Sequence, residues 1–354
     1  MKFLVTGSAG FIGYHLTKQL ITDGHQVIGV DVLNDYYDPR LKEKRNELLR
    51  CHSREGGNPI SLGRPNAQYG LDPRRALGDD EKYVFHRLDL ADKDAVGALI
   101  AAEKPDQIIH LAAQAGVRYS LVNPWAYEQS NVLGTLNILE AARHNNTKRV
   151  IFASSSSVYG ANTKIPFAET DMTDSPVSLY AATKKSCEAI AYTYHHLYGT
   201  EIAGLRFFTV YGEYYRPDMA LFKFAKNILT GKEIAVYNNG DMKRDFTHVT
   251  DIVDGIKAVI NKEKLGYEIY NLGSDHPVAL EDVISLLEKS LNKKAIKKYM
   301  PMQPGDVKIT YANIDKARAE LNFNPQMTIE RGIEEFGQWF TANQDWLLTL
   351  ADAK

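Results

Sequence analysis

Short, nearly continuous apolar runs recur along the first two thirds of the chain: Phe3 to Thr6, Gln26 to Asp31, Tyr83 to Leu88, Gln107 to Leu111, Arg149 to Ala153 and Ile202 to Phe207. Longer amphipathic stretches separate them. Runs of this length and β-branched content read as strands, and the stretches between them as helices. A sheet with one solvated face would alternate apolar and polar residues. These runs do not alternate, so helices should cover both faces. The pattern predicts an α/β fold whose first domain, residues 1–212, is a doubly wound parallel sheet. Past Gly212 the rhythm loosens. Met219 to Thr230, Leu280 to Leu291 and Ile329 to Phe340 carry helical patterns. They suggest a smaller C-terminal α/β lobe over 213–354, with some chain returning to the first domain. A chain of 354 residues also exceeds what one core usually supports.

The segment 52–80, HSREGGNPISLGRPNAQYGLDPRRALGDD, breaks the rhythm. Rich in Gly, Pro, Arg and Asp, it has too few apolar residues to bury a face and reads as a flexible surface insertion. Composition adds exclusions. The net charge of -2, with 44% hydrophobic and 24% charged residues, gives no basic excess for nucleic acid. Only Cys51 and Cys187 are present, too few for a disulfide framework or a thiolate metal site. His195 and His196 have no ligand set around them, so no metal is expected. No apolar span of membrane-crossing length occurs, and the N-terminus lacks the long apolar core and cleavage site of a signal peptide. A cytoplasmic protein without a membrane partner is expected.

Chemistry enters at the first strand end. Thr6-Gly7-Ser8-Ala9-Gly10-Phe11-Ile12-Gly13 follows a predicted strand and opens a helix. Glycines there permit a tight turn and close approach of a pyrophosphate, while the helix N-terminus offers free N–H groups and a positive dipole end. The spacing is GxxGxxG rather than GxGxxG. Asp31, at the end of the second strand, stands where a carboxylate binds both adenosine ribose hydroxyls and repels a 2′-phosphate, which favours NAD over NADP. Asp89 and Leu90 end the third strand, flanking an adenine or merely capping a loop. Tyr180 and Lys184, at i and i+4, share a helix face. A lysine cation beside a phenol favours proton exchange with a sugar hydroxyl. The run Ser154 to Ser157 ends a strand, where a hydroxyl can bind the same oxygen.

TGSAGFIG, HLAAQAGVRYS at 110–120, SSSSVYG at 154–160 and YAATK together resemble the extended short-chain dehydrogenase/reductase family of nucleotide-sugar epimerases and dehydratases, over nearly the whole chain. The resemblance implies a Rossmann-type sheet, a tightly held NAD and a C-terminal lobe that takes the nucleotide diphosphate. It implies a catalytic Ser or Thr about 25 residues before the tyrosine, which lands on Ser155 and leaves Ser156 and Ser157 open. Gly7, Gly10, Phe11, Ile12, Gly13, Asp31, Asp89, Leu90, Leu111, Ala112, Ala113, Tyr180, Lys184, Phe207 and Val210 would contact the cofactor. Ser155, Thr209, Arg216, Arg244 and Asp306 would contact substrate.

RPDMALFK at 216–223 looks like a UDP-glucuronate 4-epimerase signature, in which the Arg216 fork suits a C6 carboxylate. Arg244 resembles the residue that grips the diphosphate, and Gln303 to Asp306 a loop closing over the ribose, where many relatives carry Arg in place of Gln303. The implied reaction is 4-epimerisation of a UDP-sugar, most readily UDP-glucuronate to UDP-galacturonate, through a transient 4-keto intermediate. A UDP-glucuronate decarboxylase, an epimerase of a neutral UDP-hexose or N-acetylhexosamine, and a non-catalytic NAD-binding sensor remain alternatives. The family also implies a homodimer, built on the helical stretches Ala126 to Arg143 and Ala181 to Tyr198.

Overall fold

A computed structural model describes residues 1–53, 81–302 and 307–353. Apart from His52 and Ser53, the insertion read at 52–80 lies outside the described residues, as do Gln303 and Asp306.

The chain opens with β1 (Lys2–Thr6), α1 (Phe11–Thr22), β2 (Gln26–Asp31), α2 (Pro39–His52), β3 (Tyr83–Arg87), α3 (Lys93–Glu103) and β4 (Gln107–His110). It continues through a short α4 (Pro124–Tyr127), a π-helical turn over Glu128–Leu133, α5 (Gly134–His144), β5 (Arg149–Ser155), α6 (Leu179–Tyr198) and β6 (Glu201–Phe207). Each of the six apolar runs is a strand. They form a parallel sheet in the order β3-β2-β1-β4-β5-β6, joined at the β6 edge by β10 (Tyr267–Leu272), making seven strands.

Why both faces need cover is visible in β1. Phe3 and Val5 enter one core cluster, which holds Leu16 and Leu20 of α1; Leu4 enters another, with Val96 and Ile100 of α3, Ile138 of α5 and Ala191 of α6. Burying each such side chain contributes about 1.5–3 kcal/mol. An alternating strand would have wasted half of that.

The remaining elements are β7 (Thr209–Tyr211), α7 (Ala220–Thr230), β8 (Glu233–Tyr237), β9 (Lys243–His248), α8 (Val249–Ile260), β11 (Pro277–Ala279), α9 (Leu280–Ser290), β12 (Ile296–Met300), β13 (Ile309–Thr310), α10 (Asp315–Leu321) and α11 (Ile329–Ala342). β9 pairs with β7, β11 and β13, and β12 pairs with β8. The hub is Asp245, wholly buried on β9. Its carboxylate accepts from Thr247 Oγ1, from Ser274 N and Oγ, from Asp275 N and from Ala312 N, at 2.7–3.2 Å. A charged acceptor with five donors inside the fold fixes three segments at once. α8 returns to pack on α1, and Lys257 on it pairs with Asp23 at 2.7 Å.

Candidate active site

The carboxyl ends of β1, β2, β4, β5 and β6 open onto one cleft of about 410 Å³. This is where a doubly wound sheet binds ligands, because the strand order reverses between β1 and β4.

At its floor, Gly7 adopts φ +70°, and its N–H bonds to the Val30 carbonyl at 2.7 Å. A Cβ on Gly7 would meet the backbone of Ala112 at 2.8 Å, and one on Gly13 would lie 2.0 Å from the Gly7 carbonyl oxygen. Side chains are excluded here by contact as well as by backbone angle. Gly10 caps α1 with no side-chain hydrogen bond, and no acid stands in the first turn. The first N–H groups of α1 are left for an anion. Asp31 is buried at the end of β2, and one oxygen accepts from Leu33 N at 2.9 Å.

The other wall is α6, started by Ser178, whose side chain accepts from Ala181 N. Tyr180 and Lys184 line the cleft from it, and Lys184 Nζ donates to the Ala153 carbonyl at 2.8 Å. Ser155 Oγ donates to Ser157 Oγ and accepts from Ser157 N, both at 3.1 Å. Ser154 instead gives its hydroxyl to Glu188 at 2.7 Å. All four serines line the cleft, but that of Ser154 is committed to the protein.

Gly7, Gly10, Phe11, Ile12, Gly13, Asp31, Asp89 and Leu90 line this cleft, as do Leu111, Ala112, Ala113, Phe207, Thr209, Val210 and Arg216. Arg244 does not: its Nη1 donates to the carbonyls of Lys243 and Lys308 at 2.9 and 3.1 Å. The Arg216 fork also departs from the expectation of an open carboxylate clamp. Its Nε and Nη2 bind the two oxygens of Asp218, two residues along the same loop. Burial acts against charge on both, yet their mutual attraction keeps the guanidinium's pKa raised and the Asp218 carboxyl below its ordinary range. Tyr36 donates to Asp218 at 3.2 Å and so ties the loop after β2 to this pair.

Residue types alone did not single out Tyr36, Tyr37, Lys42 or Asp218. Asn131 was also missed. It sits almost wholly buried in the π-helical turn, donates to Gln114 O and Thr183 Oγ1 at 3.1 and 3.0 Å, and accepts from Gln114 N at 2.8 Å. It locks the loop after β4 to the turn of α6 that carries Tyr180. An amide in a helical stretch gives no sign of such a role, although π turns gather at functional sites.

Residues 3–273 match the NAD dependent epimerase/dehydratase family. The chain belongs to that family. This epimerase/dehydratase is 54% identical to an uncharacterized protein of Methanocaldococcus jannaschii, with 99% of each chain covered. It is 40% identical to a UDP-glucuronate 4-epimerase of Thermodesulfobacterium geofontis, with 96% of each covered. Its fold matches the crystal structure of UDP-glucuronic acid 4-epimerase from Bacillus cereus, in complex with UDP-glucuronic acid and NAD, with TM-score 0.83 and 31% identity over 97% of this chain and 100% of that one. NAD is the family's cofactor. The glycine cradle, which any Cβ would fill, and the buried Asp31 fit its diphosphate and adenosine ribose. Among the described residues no helix is long and apolar enough to cross a membrane, and no cluster of His, Cys, Asp or Glu forms a metal site.

Proposed function

We propose that this chain interconverts UDP-glucuronate and UDP-galacturonate by inverting C4. The observation that carries the reading is the convergence of Ser155, Tyr180, Lys184 and Arg216 on the cleft that also holds the glycine turn. NAD, which the glycine turn and Asp31 would hold, would supply the acceptor and later the donor for the C4 hydride. Tyr180 takes the C4 hydroxyl proton and gives it back, a role suited to a phenol on the same helix face as a lysine cation. Ser155 binds the same oxygen with its hydroxyl. Lys184, anchored on Ala153, directs its positive charge along that face. The sugar turns over between the two steps and presents its other face.

A 4-keto uronate is a β-keto acid. It loses carbon dioxide when the bond from C5 to the carboxylate aligns with the carbonyl π system, so an epimerase has to hold that group out of alignment. With Nε and Nη2 on Asp218, Arg216 has Nη1 to offer, and the Thr209 hydroxyl lies in the same cleft. Arg244 and Asp306 are assigned to the nucleotide diphosphate and ribose. The decisive experiment incubates purified protein with UDP-glucuronate and separates the products by chromatography with mass detection. A new species of unchanged mass that matches UDP-galacturonate supports the reading. Loss of carbon dioxide replaces it with a decarboxylase, and conversion of neutral UDP-sugars alone replaces the substrate. Arg216→Leu should raise the decarboxylated share.

We also infer a homodimer. Trp125 of α4 and Tyr192 and Leu197 of α6 are 73%, 52% and 65% exposed, more apolar surface than a lone helix pair needs to show water. A second copy would cover them, and light scattering behind size exclusion reads the mass. Both cysteines are unbridged, in keeping with a reducing cytoplasm.

A further inference from the structure

Arg45, on α2, is wholly buried. Its Nη1 donates to the Ala9 carbonyl at 2.9 Å and the Tyr37 hydroxyl at 2.8 Å, and its Nη2 to the Tyr214 carbonyl at 2.6 Å. Its Nε is buried with no hydrogen-bond partner among the described residues. All three acceptors are neutral, and no carboxylate among the described residues forms an ion pair with it. Burying a charge without a counter-charge is strongly unfavourable. A fold that keeps such a guanidinium has a reason to do so.

The position gives the reason. Ala9 is the middle of the turn between Gly7 and Gly10, so a full positive charge sits directly behind the N–H groups that face the cleft. One helical turn earlier, Lys42 lines the cleft, with Nζ on Asn34 Oδ1 at 2.6 Å and over the Tyr37 ring at 4.8 Å. Burial, with Arg45 and Arg216 adding repulsion against the pull of Asp31, lowers the Lys42 pKa. Arg45 itself meets only neutral acceptors beside the turn where a dinucleotide's diphosphate would lie.

We propose that Arg45 is a positioning residue whose counter-ion is the diphosphate of the bound dinucleotide, felt through the Ala9 turn that it holds from behind. Cofactor binding then completes the charge balance of the fold, and the dinucleotide is retained through the catalytic cycle partly for that reason. The competing account is that Arg45 only ties Ala9, Tyr37 and Tyr214 together, its charge being incidental.

Adenosine and ADP separate the two, because only ADP carries the diphosphate. The ratio of their dissociation constants is measured by calorimetry on full-length protein stripped of dinucleotide. Arg45→Met should cut the preference for ADP over adenosine by about tenfold, with adenosine affinity little changed. Arg45→Lys keeps the charge and loses the fork, and should hold the ratio within about threefold of the parent. An unchanged ratio in Arg45→Met, or a parallel loss of both affinities in the two variants, overturns the proposal. If Arg45→Met does not fold, Arg45→Lys decides alone: a collapsed ratio with the charge present rules it out.

Discussion

Glu188→Ala should remove a large part of the stability of the protein. Glu188 lies on α6 two turns beyond Tyr180, and its carboxylate takes two hydrogen bonds from Arg206 at 2.9 Å and one from Ser154 at 2.7 Å. The side chains of the pair are 3% and 4% exposed. Burial alone would push the Glu188 carboxyl up; the bonds and charge of Arg206 outweigh it and leave the pKa lowered. Without Glu188, Arg206 keeps hydrogen bonds to the Tyr159 hydroxyl at 3.0 Å and the Glu169 carbonyl at 3.5 Å and its place over the Tyr159 ring, a buried cation with no ion-pair partner left among the described residues. Breaking one side of such a pair costs about 3–5 kcal/mol. The stranded Ser154 hydroxyl adds about 1 kcal/mol. Against a typical folding free energy of about 5–15 kcal/mol, that is severe.

Urea unfolding in saturating NAD, followed by tryptophan fluorescence, measures the shift. The double replacement Glu188→Leu with Arg206→Met removes both charges and should recover most of the loss. A cost under about 1 kcal/mol for Glu188→Ala, or no recovery in the double variant, would refute the argument. Glu188→Gln, which keeps the shape, should fold, and because Ser154 adjoins Ser155 its turnover should fall more than its substrate affinity.

Three further outcomes follow from the geometry. Tyr180→Phe should lower turnover of UDP-glucuronate by about 10²–10⁴-fold while bound NAD, read by absorbance, stays; intact turnover would end the acid-base role. Gly13→Ala, with its Cβ 2.0 Å from the Gly7 oxygen, should lose NAD and destabilise the fold by about 1–3 kcal/mol. Gly10→Ala, at 2.9 Å, should do less harm, and the reverse ranking would contradict the structure. Burial holds His15 and His110 neutral, with pKa pushed down to about 3. The unfolded chain takes up those protons below its ordinary histidine pKa and the native one does not, so stability is full above about 6.5 and declines as pH falls toward 3. At pH 5.5 each histidine should have withdrawn about 1.4 kcal/mol, and a melting temperature that is flat from pH 7.5 to 5.5 would contradict this.

The sheet was legible because strands buried on both faces announce themselves as unbroken apolar runs. β10, YEIYNL, is an edge strand whose first three residues are only half-buried, and nothing local says that it pairs with Ile202–Phe207 of β6. That the glycine turn and Asp31 share one cleft was legible because glycine spacing and a strand-end acid act locally. Lys42, Arg45 and Glu188 were not, since a buried charge on a helix has the same spelling as a solvated one until its partners are known. Arg216 was picked out for a C6 carboxylate, and its place in the cleft beside Asp218, which its fork binds, depends on how one loop turns. Asp306 falls outside the described residues.

The return of β10 to the seven-stranded sheet and of α8 to α1 limits how relatives can exchange parts. A chain ending at Gly212 would leave the β6 ladder open along one side and strip α8 from α1. Such an unpaired apolar edge is a template for self-association. Swapping specificity lobes between relatives therefore takes two junctions rather than one, with Val249 to Leu272 staying behind with the host sheet. A designer who grafts only the tail inherits aggregation instead of a new substrate.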